Sequence, residues 1–178
     1  VEQWGFVENL AAFLQGQTAM TISWPPYGRW AAGYGTDQDV LSWVPKSTIA
    51  GKVGYAMPPG GHPELAAGFC LAVSSTSKNK DAAWYLVQFA TSPEVLLNGT
   101  LKFSNYNPTR KSVWEHPDVV AATEGWGQGT YRSAVSANLE VARVAWTPQP
   151  AYANLGDIWA KALHEIWTGD KTAQQALY

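Results

Sequence analysis

The sequence contains little cysteine and little charge, and these shortages exclude several classes of protein. Among its 178 residues there is a single cysteine, Cys70, so no internal disulfide can form. Charged residues make up only 15% of the chain and the net charge is -2, which leaves no basic field to hold a nucleic acid. Apolar runs such as residues 69–73 are far shorter than the ~20 residues that cross a bilayer. We therefore predict neither a nucleic-acid-binding protein nor a membrane-spanning one.

Patterns for metal, nucleotide or nucleophilic chemistry are missing as well. The histidines are His62, His116 and His164, which are too widely spaced to suggest a shared metal ion. The sequence has neither a glycine loop of the type that cradles phosphates nor a Gly-x-Ser-x-Gly nucleophile elbow. The sequence consequently predicts no metal, no cofactor and no catalytic residue.

Aromatic residues are plentiful instead. The chain has 10 Trp, 8 Tyr and 5 Phe, together 13% of its residues. Each buried indole N–H needs a hydrogen-bond partner, so a core rarely uses so many tryptophans. We therefore expect some of these rings on a working surface. Trp126, which lies between Gly125 and Gly127, either covers a cleft or caps the core, and the sequence leaves both alternatives open.

The order of predicted elements indicates an α/β lobe. β-Forming or apolar runs predict strands at residues 18–24, 53–57 and 69–73. Helical spacing of apolar residues and helix-start signals predict helices over the remainder. They lie at residues 1–14, 133–144 and 155–166, from a cap at Ser77 or Asn79 to residue 90, and from Pro93 and Pro117 onward. Few strands followed by many helices predict a small mixed sheet with helices packed on it and a helix-rich C-terminal half.

Several segments resemble the carboxy-terminal lobe of family 1 extracellular solute-binding proteins, the group that includes maltodextrin-binding proteins. The first is Phe-Leu-Gln-Gly-Gln-Thr-Ala-Met-Thr-Ile-Ser-Trp at residues 13–24, which resembles the family's helix-to-strand element followed by an aromatic residue on the ligand side. The others follow in the family's order and cover almost the whole chain, at residues 51–61, 67–84, 107–113, 148–152 and 169–177. The resemblance implies a lobe of the type II periplasmic-binding-protein fold. It also implies that residues 1–178 are one lobe of a two-lobe protein whose amino-terminal lobe lies outside this sequence.

The resemblance implies a binding protein rather than an enzyme. It suggests the extracytoplasmic component of an ABC importer that captures a carbohydrate in an aromatic-lined cleft between two lobes. The implied partners are the sugar or polyol and the permease subunits, and the full-length protein is expected to be monomeric and periplasmic or anchored at the cell surface as a lipoprotein. Members that bind maltodextrin carry a stacking aromatic where this sequence has Gly156. The implied ligand is therefore a mono- or disaccharide or a polyol.

A sugar presents C–H faces that pack on aromatic rings and hydroxyls that need short polar partners. Residues of both kinds lie in the irregular segments, with glycines that allow close backbone approach. The candidate ligand-binding residues are Trp24, Tyr27, Trp30, Gly61, Gly68, Phe103, Asn105 and Tyr106. The family resemblance implies ligand contact for Trp24, Gly68 and residues 103–106. Core packing for Trp24, an Asx-turn for Asn105 and edge packing for Tyr106 remain open alternatives.

Two other functions stay open at this point. A carbohydrate-active enzyme also has tryptophan-rich clefts, but it needs two carboxylates across the scissile bond. The acidic candidates lie mostly near predicted helix starts, and no sequence feature pairs them: Glu64, Glu94, Glu115, Asp118 and Glu124. The same binding fold could instead hold a polyamine or a phosphorylated polyol.

Overall fold

The computed structural model describes residues 4–33, 39–61, 65–66, 68–103, 108–144 and 151–177. These residues fall into two compact units, and each is described by itself. The larger unit spans residues 4–143, and the described residues from 144 onward belong to the smaller one.

Helices make up most of the larger unit. Its α-helices are α1 Phe6–Leu14, α2 Pro26–Ala31, α3 Lys80–Ala90, α4 Pro93–Asn98, α5 Lys111–Trp114, α6 Pro117–Thr123 and α7 Tyr131–Val141. Short 3-10 turns occupy Asp39–Leu41 and Pro59–Gly61, and a π-helical turn, Gly99–Phe103, continues from α4. Among the described residues of the smaller unit, the helices are α8 Tyr152–Thr168 and α9 Ala173–Leu177.

The first core cluster forms where α1 packs on α2. The face of α1 that carries Leu10 and Leu14 is fully buried, because helical spacing places these side chains on one stripe. α2 contributes its buried Trp30, and the chain that follows adds Leu41 and Val44. This packing fixes the position of α2, and the predicted ligand-binding Trp24 lies immediately before that helix.

The second core cluster holds the helices from α4 to α6 together. Leu96, Val113 and Val119 are buried in it. α4 begins at the Ser92 cap, whose hydroxyl accepts a hydrogen bond from the backbone N–H of Val95 at 3.4 Å. The helix starts predicted at Pro93 and Pro117 are confirmed, since proline fits the first turn of a helix, where its missing N–H is not needed.

The smaller unit contains the helix with the clearest sequence pattern. α8 ends where Gly169 adopts a left-handed conformation with φ of 81°. Beyond this turn, the Lys171 ammonium lies 2.8 Å from the Glu165 carboxylate. None of the described helices of the chain combines the length and apolar character needed to span a membrane.

The predicted mixed sheet is wrong. Residues 18–24, 53–57 and 69–73 form no ladder, and the β-type pairing found among the described residues is one isolated parallel bridge between Leu65 and Arg143. A β-forming sequence makes a strand only when a neighbour supplies backbone hydrogen bonds and a packed face. Here Met20 is 87% exposed and Phe69 is fully exposed, so the first and third runs lack the packed face that their composition suggested. Residues 53–57 do pack, through Val53 and Tyr55, but no neighbouring strand in the described part of the chain supplies backbone hydrogen bonds to them. The described chain is helix-rich, and the α/β assignment is corrected accordingly.

Candidate functional site

The predicted ligand-binding Trp24 lies immediately before α2, with part of its indole open to solvent. The Phe6 ring stacks on it in parallel, with ring centroids 4.7 Å apart and an interplanar angle of 8°. Tyr27 meets it edge-on at 5.7 Å. The side chain is nevertheless 52% exposed. Phe6 therefore covers one face of the indole and holds its orientation, while a large part of the ring remains accessible.

Tyr27 and Trp30 lie beneath Trp24, in the first core cluster. Their exposed fractions are only 5% and 3%. The Tyr27 hydroxyl donates to the backbone carbonyl of Phe6 at 3.3 Å, and Trp30 packs edge-on against Trp43 at 5.5 Å. Burial raises the pKa of Tyr27, and a hydrogen bond with the Ser23 side chain lowers it by less. Tyr27 contacts Trp24 directly and Trp30 packs against Tyr27 at 6.0 Å, so both rings support Trp24 from the core. Their predicted contact with a ligand stays a prediction.

Of the other predicted site residues, three lie in the described part of the chain, in three separate segments. Gly61 ends the 3-10 turn Pro59–Gly61. A side chain added at Gly68 would meet nothing within 4 Å, so this glycine is not required by close packing of the described residues. Phe103 ends the π-helical turn and is 48% exposed. Asn105 and Tyr106 lie outside the described residues, so their predicted roles stay predictions.

A second aromatic cluster, not predicted from the sequence, centres on Tyr131 at the start of α7. Tyr131 is 1% exposed, and the rings of Tyr55, Trp114 and Trp126 surround it at centroid distances of 5.3, 6.2 and 5.1 Å. These residues are far apart in the sequence, so local patterns give no sign of the cluster. A Cβ atom at Gly28 would overlap the Tyr131 ring, and α2 can approach this closely only because it has no side chain there.

Two tyrosine hydroxyls tie the second cluster to α2. The Tyr131 hydroxyl donates to the carbonyl of Pro25 at 3.2 Å, and the Tyr55 hydroxyl donates to the carbonyl of Gly28 at 3.0 Å. Burial raises the pKa of Tyr55 to about 12 and raises that of Tyr131 as well, against smaller opposing effects of nearby arginines on Tyr131. Both hydroxyls therefore remain neutral donors at physiological pH and fix the helix that follows Trp24.

Two arginines stack on tryptophans at the edge of this cluster. The Arg29 guanidinium lies 5.6 Å from the Trp126 ring centroid and donates to the carbonyl of Thr100. Arg132 lies 4.1 Å from the Trp114 ring centroid and donates to the carbonyl of the same residue at 2.9 Å. A guanidinium over an indole face is an attractive cation–π arrangement. These arginines help to hold the tryptophans in place. Arg29 is itself buried, with only 2% of the residue exposed.

A small cavity lies beside Tyr55 and Trp126. Its volume is about 220 Å³. Its lining comes from the end of α2, the segment at residues 51–55 and the turn before α7, and consists of Ala31, Ala32, Gly51, Val53, Tyr55, Gly125, Trp126 and Gly127. The sequence left the role of Trp126 open between covering a cleft and capping the core; in the structure its half-buried ring both packs on Tyr131 and lines this cavity.

Comparison with known proteins gives this geometry its context. Residues 3–96, more than half of the 178, match the model of the bacterial extracellular solute-binding protein family. The chain belongs to this family. The family predicted from the sequence motifs is thus confirmed, and the assignment to its carboxy-terminal lobe stays a prediction. The matched range includes α1, α2 and the residues 51–55, and so contains Trp24 and two of the walls of the cavity.

One similar relative is named for its ligand. The erythritol/L-threitol-binding protein of Mycolicibacterium smegmatis is 28% identical to this chain over 137 residues. The alignment covers 76% of this chain and 26% of that protein, so the chain spans about a quarter of the length of this relative.

Membership of a solute-binding family points to binding rather than catalysis. Two of the acidic candidates pair with basic side chains. Glu115 lies 3.6 Å from Lys111, and Asp118 lies 3.8 Å from the His116 ring, at the surface near the ends of short helices. Across the described ranges, no group of three histidine, cysteine, aspartate or glutamate side chains is placed to hold a metal ion. Glu64, a further acidic candidate, lies outside those ranges.

Proposed function

We propose that this chain is part of the extracytoplasmic substrate-binding component of an ABC importer and that its ligand is a small sugar or a polyol. The match of residues 3–96 to the extracellular solute-binding family carries the proposal. The family name implies a site of action outside the cytoplasm, either in the periplasm or at the cell surface. Permease subunits are the proposed protein partners, and the ligand is released to them unchanged.

The relative's name supports the choice of ligand class. A protein with 28% identity to this chain is named for erythritol and L-threitol, which are small and uncharged polyols. The half-exposed Trp24 ring suits such a ligand, because the C–H groups of a polyol or sugar pack on an aromatic face. Phe6 holds the indole in place before a ligand arrives, so less conformational entropy is lost on binding.

Thermal shift measurements on the full-length protein that contains this chain test the ligand class. The panel contains erythritol, L-threitol and glucose, with spermidine and a sugar phosphate as charged competitors. A ligand at a hundred times its Kd adds about 2.7 kcal/mol of stability. For a domain of this size, that amounts to a rise of about 5 to 10 °C in Tm. A rise with spermidine or the sugar phosphate but with no neutral polyol or sugar would contradict the proposal.

The contribution of Trp24 is tested by Trp24→Ala, with Trp84→Ala as the matched control. Trp84 lies on α3 in the same unit and is 56% exposed, close to the 52% of Trp24. Losing an aromatic stacking partner costs about 1 kcal/mol, or roughly a fivefold to tenfold loss of affinity for the polyol. Calorimetry measures both variants. Equal affinities in the two would show that Trp24 does not contact the ligand.

A further inference from the structure

Given the proposed solute-binding function, we infer that the cavity between Tyr55 and Trp126 binds a small, neutral, polyhydroxylated molecule. The cavity belongs wholly to the larger unit. It lies at the end of α2, whereas Trp24 precedes the start of that helix. It is therefore a place of binding separate from the Trp24 ring.

The walls of this cavity are held rigidly by contacts behind them. The Tyr55 hydroxyl donates to Gly28, and the backbone N–H of Tyr55 donates to the Thr130 hydroxyl at 2.9 Å. Trp126 packs on Tyr131 and on the Arg29 guanidinium. Both aromatic walls are thus fixed by groups that do not line the cavity. A preformed site loses little conformational entropy when it binds, which favours a real affinity for a small ligand.

The glycine turn gives a ligand access to the backbone. Gly127 has φ of 61°, which disfavours other residues, and a Cβ atom there would overlap the Tyr55 ring and lie 3.0 Å from the Thr130 hydroxyl. This position requires glycine for two independent reasons. With Gly51 and Gly125 it makes the lining rich in backbone not covered by side chains, which leaves room for a hydroxyl-bearing ligand to approach the peptide groups.

The lining disfavours charged ligands, and the volume of the cavity disfavours large ones. It consists of alanine, glycine, valine, tyrosine and tryptophan, and so it contains no ionisable group that is charged at neutral pH. An anion or cation would lose hydration without gaining a partner. The volume of about 220 Å³ equals that of about seven water molecules in the liquid. It is below the roughly 300 Å³ at which pockets for drug-sized ligands begin, which suits a linear polyol or a single sugar ring rather than an oligosaccharide.

The test uses a substitution that fills the cavity and leaves the contacts behind its aromatic walls in place. Ala32 lines the cavity at the end of α2, so Ala32→Leu adds bulk there and leaves the aromatic contacts in place. The matched control is Ala82→Leu, an exposed position on α3. Calorimetry with xylitol is expected to show at least a tenfold loss of affinity in Ala32→Leu and no change in Ala82→Leu. Sorbitol should bind at least tenfold more tightly than sorbitol 6-phosphate, and maltose should not compete.

Fluorine NMR gives a second measurement, which reports directly on Trp126 in the cavity wall. With 5-fluorotryptophan incorporated, the ¹⁹F resonance of Trp126 is identified by its loss in Trp126→Phe, and xylitol is expected to shift this resonance. Unchanged xylitol affinity in Ala32→Leu, or a Trp126 resonance that xylitol does not move, would overturn the inference.

These results separate the pocket from the proposed function. If polyols bind and their affinity falls in Trp24→Ala but not in Ala32→Leu, the proposed function stands and the pocket is not the binding site. If neither a sugar nor a polyol binds the unmodified chain, the pocket assignment fails, because the cavity lies wholly within this chain. The proposed function fails only if the full-length protein also binds none of them in the thermal shift panel.

Discussion

Gly28 offers the sharpest test of how α2 is positioned. Replacing glycine by alanine inside a helix ordinarily stabilises a protein by about 1 kcal/mol. At Gly28 the new Cβ would lie 2.7 Å from one Tyr131 ring atom and 3.1 Å from the Tyr55 ring. Ordinary contacts begin near 3.4 Å. Tyr131 is 1% exposed and has little room to withdraw, so the sign of the substitution should reverse here.

The change in the free energy of unfolding for Gly28→Ala follows from the displacement of the Tyr131 ring. Overpacking of a filled core costs about 1 to 3 kcal/mol. A shifted Tyr131 ring would also weaken the 3.2 Å hydrogen bond from its hydroxyl to Pro25, which is worth about 1 kcal/mol. Subtracting the helix-propensity gain of about 1 kcal/mol leaves a net loss of about 1 to 3 kcal/mol for Gly28→Ala.

Gly156→Ala is the matched control, because Gly156 also lies inside an α-helix and its Cβ would meet nothing within 4 Å. Urea unfolding, followed by circular dichroism, compares the two variants. With a slope of about 2 kcal/mol per molar urea, Gly28→Ala should lower the midpoint by about 0.5 to 1.5 M, whereas Gly156→Ala should raise it slightly. If Gly28→Ala raised the midpoint as the control does, the described packing of α2 against Tyr131 would be refuted.

Two further predictions concern the tyrosines that tie this cluster to α2. Tyr131→Phe should lower the free energy of unfolding by about 1 to 3 kcal/mol, because it removes the donor to the Pro25 carbonyl; an unchanged urea midpoint would argue against this hydrogen bond. Burial raises the folded-state pKa of Tyr55 from 10.0 to about 12, so the neutral form favours folding; its contribution is complete below pH 10 and is lost as the pH rises toward 12. Tyr55→Phe should therefore show a smaller loss of stability than the unmodified chain between pH 9 and pH 12 in urea unfolding, and parallel pH profiles would contradict this.

The family assignment and the fold prediction came from different kinds of information and met different outcomes. The motifs between residues 13 and 84 pointed to the solute-binding family, and the family match over residues 3–96 confirms this. The mixed sheet expected with that resemblance is not found among the described residues, where Leu65 and Arg143 form one isolated bridge. Sequence similarity can thus identify the family while the expected backbone pairing is wrong.

What the sequence alone determined are the helices whose signals are local. The spacing of Leu10 and Leu14 marked α1, the Ser92 cap and the proline after it marked α4, and Gly169 marked the end of α8. Each signal acts within one or two helical turns, because a helix satisfies its hydrogen bonds among its own residues.

Tertiary structure decided which rings are buried and which remain available. Trp24 and Trp30 belong to one aromatic run, yet the first is 52% exposed and the second 3%. Tyr55 and Thr130 are 75 positions apart in the sequence and still form a direct hydrogen bond. Strand pairing and cavity walls depend on such contacts between distant residues, whose formation is decided by the packing of whole helices. A pattern within one segment carries no information about the surface that it will meet.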